Sequence, residues 1–88
     1  MPGLLGMDIQ RIRDMAAIMD RQAQAIQTQL AKLAGQTQQM QWQGPDADQF
    51  RATWEGQQLG LTQVAAALKS TAAEARVYAE AQARASKA

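Results

Sequence analysis

The residue types that do chemistry are scarce in this chain. It has no His and no Cys, so it offers no imidazole base, no thiolate and no transition-metal ligand set. Ser70 and Ser86 are the only serines, and neither has an obvious activating partner. Carboxylates come in two loose pairs, Asp46 with Asp48 and Glu74 with Glu80, and neither has the spacing that puts both groups on one helical face. Arg51 with Glu55, Arg76 with Glu80, and Glu80 with Arg84 do have four-residue spacing. That makes them candidate surface ion pairs on a helix. No glycine-rich loop follows a strand to cradle phosphate. The expectation is a non-enzyme with no cofactor and no metal.

Charge and length narrow the partners. Nine Lys/Arg against eight Asp/Glu give a net charge of +1, interspersed rather than in runs. A nucleic-acid groove needs a concentrated basic footprint, so none is expected. No segment approaches the roughly 20 apolar residues of a membrane span, and stable membrane insertion is not expected. Met1-Pro2-Gly3-Leu4-Leu5-Gly6 is too short for a signal peptide and lacks a basic leader. A domain of 88 residues without disulfide or metal is marginal alone, which makes oligomerisation the expected source of stability.

The elements that position these residues are helical. Ala and Gln dominate, and β-branched and aromatic residues are few. After the breakers Gly3 and Gly6, Asp8 is a plausible N-cap. An apolar stripe then runs at alternating spacings of three and four: Ile9, Ile12, Ala16, Met19, Ala23, Ile26, Leu30, Leu33, Thr37 and Met40. This predicts a helix over about 8–41. Gly44-Pro45 is the strong interior breaker, with Asp46 and Asp48 placed for a helix N-terminus. A second, weaker stripe comprises Ala47, Phe50, Trp54, Gln57, Leu61, Val64, Leu68, Thr71, Ala75 and Tyr78, predicting a helix over about 46–84. Two helices of matched length joined by about four residues lie antiparallel.

The apolar surface exceeds what one partner helix covers. Met15, Leu33 and Met40 widen the first helix's arc, which points to a dimer face and a four-helix bundle. Ala52, Leu59, Ala66, Ala73 and Val77 fall almost opposite the second helix's stripe. Gly56 and Gly60 share a face, whereas Gly35 falls on a polar one.

The turn reads Trp42-Gln43-Gly44, a Trp-x-Gly tripeptide between two amphipathic helices. In that setting the chain resembles the WXG family of small proteins exported by type VII secretion systems, over nearly its whole length. Gly44 to Phe50, with Trp54, is similar to the start of that family's second helix, and Ala79 to Ser86 to the closing stretch of some actinobacterial members. The resemblance implies an all-α hairpin that dimerises, with itself or a paralogue, into an antiparallel four-helix bundle. It implies recognition by a membrane-bound secretion ATPase and export as a folded dimer. The protein would thus be cytoplasmic before export and secreted without a cleaved signal peptide. Trp42 and Gly44 are then the turn and export motif. The family's C-terminal Tyr-x-x-x-Asp/Glu element is matched only by Tyr78, since Gln82 stands where the acid belongs. Either Tyr78 acts without the acid or a partner chain supplies the complete motif.

Apart from the resemblance, Trp42 reads as an aromatic packed across the turn, Gly44 as a turn glycine and Tyr78 as a core residue. Two other functions compete: an intracellular helical adaptor that is never exported, and a membrane-active amphipathic protein. The Gln-rich, charge-balanced polar face disfavours the second of these.

Overall fold

A computed structural model of the chain describes the backbone of residues 2–87, and the side chains of residue 6 and of residues 8–87. Two helices make up the fold, α1 (Pro2–Gln39) and α2 (Pro45–Lys87). The molecule measures 66 × 16 × 14 Å. At about 1.5 Å per residue, the 43 residues of α2 already span nearly that length, so the helices lie side by side as an antiparallel hairpin.

α1 begins earlier than the breakers suggested, at Pro2 instead of Asp8. Proline is well tolerated in a first turn, where its missing N–H has no partner to lose. Gly3 and Gly6 weaken the helix without ending it. At the other end the Met40 N–H donates to the Thr37 carbonyl (3.3 Å), a tightened final turn. α2 carries Asp46 and Asp48 in its first turn and Arg84 and Lys87 in its last, each favourable to the helix dipole.

The seam between the helices is built of small residues. Ile9, Ala16, Ala23 and Leu30 recur every seven residues on α1 and are buried. On α2 the buried set is Ala47, Ala65, Ala72, Ala75 and Ala79. Among the described residues no large side chain is fully buried. Ile12, Met19, Ile26, Trp54 and Leu68 are half-buried along the margin. Thr37 fits there because its hydroxyl donates to the Leu33 carbonyl of its own helix (2.8 Å).

This corrects the second stripe. Ala47, Trp54, Leu68 and Ala75 are buried or half-buried as expected. The interleaved set is one residue late: Arg51, Gln58, Ala65, Ala72 and Ala79 face α1, whereas Phe50, Gln57, Val64, Thr71 and Tyr78 are exposed. Leu61, and Met15 and Leu33 on α1, are likewise exposed in the hairpin. The reason is steric. The α2 positions that face α1 most closely are alanines, and bulkier side chains such as Phe50, Val64 and Tyr78 lie on the flank.

Candidate functional site

The two edges of the hairpin are unlike. Along one edge Arg13 pairs with Glu80 (3.0 Å), Asp20 with Arg76 (2.6 Å), and Lys69 donates to Gln27 (3.0 Å). These pairs join the helices, in place of the within-helix pairs Arg76–Glu80 and Glu80–Arg84 that spacing suggested. Most of the participants lie four residues after a seam position: 13, 20 and 27 on α1, 69 and 76 on α2. The other edge holds residues one before a seam position or three after one. At 100° per residue these fall on the opposite flank of each helix. They are Met15 and Leu33 on α1, and Phe50, Leu61, Val64 and Tyr78 on α2, all exposed.

The two helices' apolar flanks come together around Leu33 and Leu61. With Ile26 and Leu30 they line an open groove of about 280 Å³. Tyr78, 65% exposed, is not a core residue. Gln82 is exposed one turn further on, so no acid accompanies the tyrosine at that spacing.

The second feature is the tip. Gly44 has φ +113°, a region suited to glycine because a Cβ would crowd the backbone. Its carbonyl accepts the Asp48 N–H (3.0 Å), which starts α2 with Pro45 at the first helical position. Residues 40–43 cross between the helices without regular structure. Trp42 is 43% exposed, and its ring stands 5.8 Å from that of Phe50 at an interplanar angle of 47°. That separation and tilt suit an aromatic pair. Sequence spacing placed Phe50 in the seam; the structure places it against Trp42. Trp42 is thus packed on one side and open on the other.

Arg51 was expected to pair with Glu55. Its guanidinium instead reaches back, donating from Nη2 to the Trp42 carbonyl and lying 3.7 Å from Asp48 through Nη1. Nothing in the spacing of Arg51 marks this role, because the carbonyl lies across the turn. Arg51 also lines a cleft of about 250 Å³ with Thr37, Trp54 and Glu55.

Elsewhere, Leu59 and Val77 are exposed on the outer face of α2, as their positions implied. Beyond the helix's own adjacent backbone, nothing lies within 4 Å of a Cβ built at Gly35, Gly56 or Gly60, so packing within the hairpin does not require these glycines. Among the described residues no cluster of acidic side chains could hold a metal, and no helix is long and apolar enough to cross a membrane. No protein-family model, curated protein or solved structure matches the chain.

Proposed function

We propose that this chain is a small interaction protein that works as a four-helix-bundle dimer, as a substrate or chaperone-like partner of a type VII secretion system. The observation that carries the reading is the apolar edge beside an alanine seam. A folded monomer of 9.6 kDa has an accessible surface of about 5,100 Å² by the usual mass scaling. This hairpin has 6600 Å². The excess of about 1,500 Å² is nearly twice the roughly 800 Å² that a standard protein interface removes from each partner. Pairing two hairpins through Met15, Leu33, Leu61 and Val64 covers the bulky side chains that the seam leaves outside, whether the partner is a second copy or a paralogous WXG protein.

Export rests on the resemblance of the Trp-x-Gly turn to the WXG family. It is supported by the exposed half of Trp42, which leaves an aromatic surface at the tip for the secretion ATPase to read. Tyr78 is available as a C-terminal element, and Gln82 in place of an acid favours a partner that supplies the complete motif. In an antiparallel pair of hairpins, one chain's tip approaches the partner's C-terminal end, so the two halves of such a signal meet only in the assembled dimer.

The test is Trp42→Ala, with folding and dimerisation checked by circular dichroism and sedimentation. Folded, dimeric variant that accumulates in the cell is the expected result. Export of that variant at the normal rate removes the recognition role. A protein retained in the cell whether or not the secretion ATPase is intact points instead to a non-exported adaptor.

A further inference from the structure

The geometry points to Arg51 as the positioning residue of the tip: it fixes the orientation in which Trp42 is presented for recognition. The inference rests on the reading of Trp42 as a recognition residue. A residue in a short connection between helices has no ladder to hold its carbonyl, and a neighbouring loop residue can rotate with it. Here the Trp42 carbonyl accepts from the Arg51 guanidinium, a charge-assisted bond that is stronger than a neutral one. Asp48 lies 3.7 Å from the other terminal nitrogen and steadies the fork from the first turns of α2. Arg51 is only partly exposed and lines the cleft between the helices together with Thr37 and Trp54. The guanidinium therefore reaches Trp42 from the first turns of α2.

Phe50, the preceding residue, supports the indole itself at 5.8 Å. Backbone and ring of Trp42 are thus held by adjacent residues of α2, one through hydrogen bonding and one through packing. Two attachments at different atoms leave little freedom about the residue's own torsions. An indole fixed before binding loses less entropy on docking than one that must be ordered then. Arg51 touches no partner in this scheme; it acts through Trp42.

The test uses the full chain with Trp54→Phe, so that Trp42 is the only indole. Arg51→Met keeps the apolar stem and removes the donors, whereas Arg51→Lys restores one charged donor. Acrylamide quenching of Trp42 is expected to rise about twofold in Arg51→Met, and to return towards the parent value in Arg51→Lys, with far-UV circular dichroism unchanged. Unchanged quenching in folded Arg51→Met overturns the inference. If Arg51→Met fails to fold, the unmutated chain decides it. Separate, slowly exchanging Nη signals for Arg51 in nitrogen-edited NMR support a held guanidinium, and freely averaged signals overturn it.

Export then separates this inference from the reading beneath it. With both correct, folded Arg51→Met accumulates in the cell as Trp42→Ala does. Normal export of a loosened Arg51→Met, with Trp42→Ala retained, overturns the positioning role and leaves recognition by Trp42 standing. Normal export of folded Trp42→Ala removes the recognition role itself, and the inference falls with it.

Discussion

At the scale of single residues, the tip and the seam make opposite demands on side-chain size. Gly44 sits at φ +113°, where any Cβ is strained. Gly44→Ala is expected to cost about 1–3 kcal/mol, read from urea titrations, although no atom beyond the adjoining residues lies within 4 Å of the added methyl. Backbone conformation, not space, sets that cost. In the seam the limit is space. Ala72 is fully buried against α1, and Ala72→Leu is expected to destabilise by about 1–3 kcal/mol through overpacking. Thr71, its exposed neighbour, should accept leucine within about 0.5 kcal/mol in the monomeric hairpin. Equal effects at 71 and 72 would mean that the seam does not run through 65, 72 and 79. Leu30 is one of only two buried residues larger than alanine among those described, and Leu30→Ala should cost about 2–5 kcal/mol, against less than about 0.5 kcal/mol for the exposed Gln24→Ala.

At the scale of the helices, the hairpin is legible from sequence because it depends on period and punctuation. Spacings of three and four specify two amphipathic helices, and Gly44-Pro45 divides them. Register on α2 is less legible. Choosing the largest apolar residue in each turn selects Phe50, Val64 and Tyr78, which lie on the flank. The actual seam positions, Ala65, Ala72 and Ala79, carry the weakest hydrophobic signal. Their seven-residue recurrence, matching Ala16 and Ala23 on α1, was the available clue. Contacts across the hairpin were illegible for another reason: Arg13–Glu80 and Asp20–Arg76 depend on how α1 aligns with α2, which spacing within one helix does not specify. The same holds for Arg51 and Trp42. The polar edge contributes little stability, since both members of the Asp20–Arg76 pair are nearly half exposed. A double-mutant cycle on them is expected to give about 0.2–1 kcal/mol, falling as salt is added. Its value is in alignment: pairs at several levels on one edge favour one register and leave the apolar edge continuous.

At the scale of the molecule, the question is what holds a rod 66 Å long and about 15 Å wide together. Among the described residues, seven of the nine buried apolar residues are alanine, and an alanine has a single methyl to remove from water. At about 25 cal/mol per Å² such a seam gives little return against the conformational entropy of ordering the chain. The larger side chains, Met15, Leu33, Leu61 and Val64, lie outside on one edge, where a second hairpin can reach them. If dimerisation supplies the missing burial, stability depends on protein concentration by mass action. The melting temperature of the unmutated chain should therefore fall measurably across a hundredfold dilution series, and sedimentation equilibrium at about micromolar concentration should give the dimer mass. Leu61→Glu with Val64→Glu places two carboxylates on that edge without altering the alanine seam. The double variant should sediment as a monomer, melt at a lower temperature and lose its dependence on concentration. A native chain that sediments as a monomer and melts at one temperature throughout the series would show that the seam suffices. In that case the apolar edge is not what completes the fold.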